Sequence, residues 1–203
     1  MARASRLLLY LLFIRPWQLR WGATGAEAAS SMPGDEIVHH PHFKATRAVT
    51  IQASPAEVWP WIVQIGSARA GWYSLDRLDN GGKLSAREIL PDFQTIELDY
   101  FVPFTPDQKN GMWVKAFQEN EHILWWDKKG KATWLWVLEP LANGRTRLIT
   151  RLRTVYDFRF PWVIYYLLYD VGDIVMMSKC LLGIKERAEA HAAQSTAQSL
   201  KAS

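Results

Sequence analysis

The sequence predicts a single α+β domain in which a curved antiparallel sheet wraps one long C-terminal helix. Three observations carry this reading. Strand-like segments in the second half of the chain are separated by short links at Gln108-Lys109-Asn110-Gly111, Lys128-Lys129-Gly130 and Ala142-Asn143-Gly144, the spacing of an antiparallel meander. A stretch opened by Pro161 and running to Ala193 places Leu167, Val171, Ile174, Met177, Leu181 and Ile184 three or four residues apart, the period of one helix face. A length of 203 residues fits one core, and 49% apolar against 22% charged residues supplies it.

At the N-terminus, Arg3 and Arg6 precede an apolar run from Leu7 to Ile14. The pattern resembles the start of a secretory signal, yet Arg15, Pro16, Trp17 and Arg20 follow at once and the nearest Ala-x-Ala site, Ala26 to Ala28, stands far downstream. The run is shorter than the ~20 residues that span a bilayer. It is therefore expected either to dock on the domain's own apolar surface or to make peripheral membrane contact. Ser31 to Pro41, with Pro33, Gly34 and Asp35, reads as a connector, so residues 1–42 are expected to form a leader, 43–193 the domain and 194–203 a disordered tail.

Phe43 to Ala53 alternates as a strand, with Thr46, Ala48 and Thr50 on one side and Arg47, Val49 and Ile51 on the other. Ser54, Pro55 and Glu57 then form a helix start, Val58, Trp61, Ile62 and Ile65 follow at helical spacing, and Gly66 stops the helix. Gly71 to Asn80 reads as a second short helix ended by Asn80-Gly81-Gly82. Strands are expected over Thr95–Val102, Met112–Glu119, His122–Trp126, Ala132–Leu138 and Thr146–Tyr156, before the long helix, which Gly172 could bend. This element order leaves a cleft between sheet and terminal helix.

The formal charge of +4 and pI near 9.2 are spread over single residues such as Arg47, Arg69, Arg87 and Lys115, so no nucleic-acid partner is expected. Arg145, Arg147, Arg151 and Arg153, at odd spacing, read as the solvated face of the last strand, with a phosphate-binding stripe as the alternative. The one cysteine, Cys180, excludes an internal disulfide and lies in a helical apolar run, consistent with a buried thiol in a reducing, cytoplasmic setting. Eleven Trp residues point to an aromatic-lined interior, an interface, or both.

Trp134, Trp136 and Leu138 share one face of their strand, and Leu148, Thr150, Leu152, Thr154 and Tyr156 share one face of the next. Both sets are expected on the concave side, although Leu135 and Val137 on the other face leave the assignment reversible. Gly71-Trp72-Tyr73-Ser74 reads either as a gate at the cavity mouth or as a wedge. The candidate ligand-binding residues are Trp61, Trp72, Tyr73, Trp134, Trp136, Thr150, Leu152, Thr154, Tyr156, Ile174 and Met177. No catalytic residue is assigned; Tyr156, Thr150 and Asp76 are the first suspects, while Asp79 and Glu88 have no evident partner. His39, His40 and His42 cluster, but no carboxylate or thiol stands at matched spacing, so no metal is expected. No Gly-x-Ser-x-Gly, P-loop or dinucleotide fingerprint occurs, and no cofactor is expected.

Several stretches resemble the SRPBCC superfamily, the START-like group of polyketide cyclases, aromatase/cyclases, lipid-transfer proteins and plant hormone-binding proteins. They are Thr46-Arg-Ala-Val-Thr-Ile-Gln-Ala-Ser-Pro-Ala-Glu-Val-Trp-Pro-Trp61, Gly71-Trp-Tyr-Ser74 with Asp79-Asn80, Thr133-Trp-Leu-Trp-Val-Leu-Glu-Pro140 before Arg145-Thr-Arg-Leu148, and Gly183-Ile-Lys-Glu-Arg-Ala-Glu189. Arg15-Pro-Trp-Gln-Leu-Arg-Trp-Gly-Ala-Thr24 and Pro33-Gly-Asp35 resemble the leader of an uncharacterised bacterial branch. The resemblance implies a helix-grip fold. It also implies binding or carriage of a small hydrophobic molecule such as a lipid, polyketide or isoprenoid, with a cyclase- or dehydratase-like enzyme as the alternative. The apolar run Leu7–Ile14 adds a third reading, a membrane-surface protein acting through residues 7–14.

Overall fold

The computed structural model describes residues 10–160 and 162–202, so Leu7–Leu9 of the apolar run and Pro161 lie outside the described residues. Its frame is a six-stranded antiparallel sheet in the order β1-β6-β5-β4-β3-β2, formed by β1 (Phe43–Ile51), β2 (Phe101–Pro103), β3 (Gly111–Gln118), β4 (His122–Trp126), β5 (Ala132–Leu141) and β6 (Arg145–Thr154). The first strand pairs with the last, so the meander from β2 to β6 ends against β1. A 41-residue helix, Trp162–Ala202, packs against β1 and against a nine-residue helix, Pro55–Val63. The result is the α+β helix-grip arrangement.

The local chemistry explains where the elements start. The Glu57 carboxylate accepts from the Ser54 backbone N–H at 2.7 Å and from its hydroxyl at 2.8 Å, fixing the start of Pro55–Val63. The link between β5 and β6 is the tight turn Ala142–Gly144, with Asn143 and Gly144 left-handed at φ 61° and 66°.

Three expectations differ from the structure. Only Asp76–Asp79 of the expected helix Gly71–Asn80 is helical, because Gly71 and Tyr73 have φ of 83° and 54° and cannot belong to a right-handed helix. Of Thr95–Val102, only Phe101 and Val102 join a strand, which ends at Pro103; Asp99, at φ 63°, turns the chain just before it. The tail expected to be disordered is helical through Ala202: it lacks Gly and Pro and extends the long helix past Ala193 without a break.

The largest correction concerns the leader and the arginines of β6. Over its described residues the leader carries a π-helical segment, Tyr10–Ile14, and two short α-helices, Arg15–Gln18 and Gly25–Ala29, and lies against the domain. Its backbone follows the edge of β1, where Thr46 N–H donates to Leu19 O at 2.8 Å and Ala48 N–H to Trp21 O at 3.2 Å. It then crosses the outer face of the sheet. Arg151 is buried beneath it and donates to Thr46 Oγ1, Ser30 O, Asp35 Oδ2, Glu27 O and Ala28 O. Arg153 is buried too and reaches Val38 O, while half-buried Arg147 meets the Glu27 carboxylate at 2.7 and 2.9 Å. The expected solvated face is therefore a set of anchors for the leader. Leu135, also on this face, is buried on the same side as Leu124, onto which Gly34 of the leader packs.

Candidate functional site

The inner face of the sheet follows directly from the register. Trp125, Trp134, Leu152 and Ala45 form one transverse row, Ile123, Trp136, Thr150 and Arg47 the next, and Leu138, Leu148 and Val49 a third. Alternation along β5 and β6 thus puts Trp134, Trp136, Leu138, Leu148, Thr150 and Leu152 on one side, facing the long helix, as the sequence suggests.

The rings on this face stack on each other. Trp134 lies 5.1 Å from Trp136, 5.4 Å from Trp125 and 5.6 Å from Trp72, the last pair stacked with planes almost parallel at 3°. Phe104 closes against Trp72 and Trp134 edge-on at 5.3 and 5.5 Å. Trp61 meets Tyr73 edge-on at 6.1 Å at the helical corner. Met177 of the long helix is buried in the same core and Ile174 is half-buried.

Trp72 and Tyr73 are buried, and the backbone of Tyr73 lies so close to Gly183 of the long helix that a Cβ there would stand 2.2 Å from Tyr73 O. Ser74 adds a hydrogen bond to Met176 O at 2.9 Å. This close contact ties the backbone of the corner at Tyr73 to the helix.

The polar groups on the inner face divide into paired and unpaired. Trp134 Nε1 donates to Thr150 Oγ1 at 2.8 Å, and that hydroxyl donates onward to Leu135 O at 3.0 Å. In contrast, Nε1 of Trp125 and Trp136 is buried with no hydrogen-bond partner among the described residues, as are Arg47 Nη2, Nε1 of Trp61 on the helix Pro55–Val63 and, on the outer face, Nε1 of Trp126. Arg47 otherwise donates to Gln18 O at 2.9 Å and to Asp173 of the long helix at 2.5 Å, both charges being buried. Burial raises the Asp173 carboxyl above the usual aspartate range, against the pull of Arg47.

Thr154 and Tyr156, the remaining candidates, lie at the end of the sheet rather than among the tryptophans. Tyr156 stacks on Tyr166 at 4.3 Å and approaches Asp170 at 3.5 Å, and its hydroxyl is pushed up by burial and by the Asp170 charge. Asp76 accepts from the Ser85 N–H and hydroxyl, and Asp79 from Leu75 N–H, so both carboxylates hold backbone turns. His42 Nδ1 accepts from Tyr156 N–H, and no group of His, Cys, Asp and Glu among the described residues is arranged to hold a metal. Cys180 is buried and free, its thiol pushed up by burial.

Trp125, Phe104 and the Arg47–Asp173 pair were not among the sequence candidates. Trp125 was readable from alternation within His122–Trp126. Arg47 carried a signal as well, since it shares its face with Val49 and Ile51. A surface groove of about 270 Å³ between the 87–89 segment and the C-terminal half of the long helix has Trp61, Arg187 and His191 in its wall. Trp61 belongs both to this groove and to the aromatic interior.

No protein-family model matches the chain, and no curated protein matches it. Solved structures similar to it include a conserved protein of unknown function from Enterococcus faecalis, with 13% identity, coverage of 81% of this chain and 95% of that one, and a TM-score of 0.46. A protein from Arthrobacter aurescens has 12% identity over 82% and 92% of the two chains with a TM-score of 0.41. A polyketide-cyclase-like protein from Corynebacterium glutamicum has 15% identity over 76% and 92% with a TM-score of 0.34. The fold assignment rests on the topology of the chain itself.

Proposed function

We propose that the protein binds and carries a small hydrophobic molecule, of lipid, polyketide or isoprenoid type, between the inner face of the sheet and the long helix. The observation behind this reading is the set of unpaired indole N–H groups on Trp61, Trp125 and Trp136. An unsatisfied buried donor costs about 1–3 kcal/mol, and a core selected only for packing would use Phe or Leu there. Aromatic walls with a few unfilled donors suit an apolar ligand bearing carbonyl, hydroxyl or carboxylate oxygens.

Carriage is preferred to catalysis because the suspected proton-transfer groups are engaged elsewhere. Thr150 bridges Trp134 and Leu135, Asp76 holds Ser85, and Tyr156 stands apart from the tryptophans. Affinity would come chiefly from apolar area at ~25 cal/mol per Å², so a few hundred Å² gives several kcal/mol before ordering costs. Entry requires rings to part, and Trp72 with Phe104, packed over Trp134, is the pair to move.

Intrinsic tryptophan emission, titrated with fatty acids, isoprenoid alcohols and aromatic polyketides, tests the reading. At least one class is expected to give a saturable change, with Trp134→Ala weakening it by about 1–3 kcal/mol. No saturable change with any class would overturn carriage, and an unchanged affinity in Trp134→Ala would move the site away from these strands.

A further inference from the structure

We infer that one end of the molecule, formed by Tyr10–Trp17 of the leader and the Phe158–Phe160 loop, docks on an anionic lipid bilayer surface. Two segments distant in sequence are anchored together there by Asp170 of the long helix. Arg15 grips its carboxylate at 2.9 and 3.0 Å, Tyr10 approaches it at 3.3 Å, and Tyr156, at the root of the loop, approaches it at 3.5 Å. Around this anchor Leu12, Phe13, Ile14, Trp17, Phe158 and Phe160 leave 45–80% of their surface exposed. Single exposed apolar residues are ordinary; a group of six that includes three Phe and a Trp marks a contact surface.

The charge pattern identifies the partner. The first 26 residues hold four of the 24 cationic residues, Arg3, Arg6, Arg15 and Arg20, and none of the 20 acidic ones. The remaining 20 cations balance the 20 acids, so the whole formal charge of +4 resides in the segment that carries the exposed leader residues. Arg15 is held by Asp170, and the sequence adds Arg3, Arg6 and Arg20 to the same segment as cations for lipid phosphates. A basic, acid-free segment with Leu, Ile, Phe and Trp is the composition of an interfacial anchor. Among the described residues no helix is long and apolar enough to cross a membrane. This docking is independent of ligand carriage, since none of the six residues belongs to the inner face.

Flotation of the full-length protein with vesicles tests the inference, using phosphatidylcholine alone and phosphatidylcholine mixed with phosphatidylglycerol. Binding is expected to the mixed vesicles and to fall steeply with salt. Phe158→Ser combined with Phe160→Ser, and separately Leu12→Ser combined with Phe13→Ser, should each weaken partition about tenfold with an unchanged thermal melt. Failure to float with the mixed vesicles, equal binding to both compositions, or wild-type partition in both double variants would overturn the proposal. So would a dimer in light scattering that Phe158→Ser with Phe160→Ser disperses, which would assign the surface to a second copy of the chain.

Discussion

The two faces of the sheet are made by the same strands and treat their polar groups in opposite ways. On the outer face, Arg151 fills its donor capacity with five hydrogen bonds to the leader and β1, and Arg153 and Arg147 do likewise with Val38 and Glu27. On the inner face, the indole N–H groups of Trp125 and Trp136 and one guanidinium nitrogen of Arg47 find no partner among the described residues, while the outer face leaves one indole, that of Trp126, unpaired. A buried face whose arginines are filled by one covering segment is an internal interface, and its role is structural. A buried face with donors unfilled stores a cost that a ligand's oxygens would remove.

The sharpest way to break this contrast is Arg151→Met. It leaves several leader carbonyls without their donor and Asp35 with only Arg153 and the Met32 N–H, and a loss of about 3–5 kcal/mol in chemical denaturation is expected, together with earlier proteolysis of residues 24–38. Gly183→Ala should follow at about 1–3 kcal/mol, since the new methyl meets the Tyr73 carbonyl and the corner must shift. Trp136→Phe is expected to stay within about 1.5 kcal/mol of wild type, because the lost N–H had no partner and only ring size changes. A loss from Trp136→Phe comparable to that from Arg151→Met would erase the distinction between the faces.

On the outer face, acid acts through Glu27. Hydrogen bonds from Arg147 hold the Glu27 carboxyl below its usual value near 4.5. A lowered folded value means that the charged form stabilises the fold. The contribution is present in full above about pH 4.5 and disappears as pH falls through the lower folded value. Exchange protection of the leader, corrected for intrinsic rates, should therefore drop below that pH in wild type and lose this step in Glu27→Gln. The smallest effect is expected for Arg87→Gln, whose pair with Glu186 is exposed: a change within about 0.5 kcal/mol.

The inner face was legible in the sequence because period-two alternation and residue type agreed there: Trp134, Trp136 and Leu138 on β5 oppose Leu152, Thr150 and Leu148 on β6. The start of Pro55–Val63 was legible because Ser54 and Glu57 satisfy a purely local requirement. The outer face was misread for a physical reason. Alternation says which side a residue faces, not what covers that side, and the cover for Arg151 comes from Glu27 to Asp35, more than a hundred residues away. The helix expected over Gly71–Asn80 failed on a similar long-range constraint, the close approach of Tyr73 to Gly183. Tyr156 was grouped with the tryptophans because the strand pattern continues past Thr154, whereas β6 ends there and the chain turns toward Asp170.

The most direct test of the central claim is native mass spectrometry of the purified full-length protein, followed by organic extraction of any adduct. The account predicts a stoichiometric, oxygen-bearing apolar molecule that is retained in Arg87→Gln and lost or reduced in Trp134→Ala. A bare mass for wild type, unchanged after incubation with fatty acids, isoprenoid alcohols and aromatic polyketides, would contradict it and leave the inner face as packing alone.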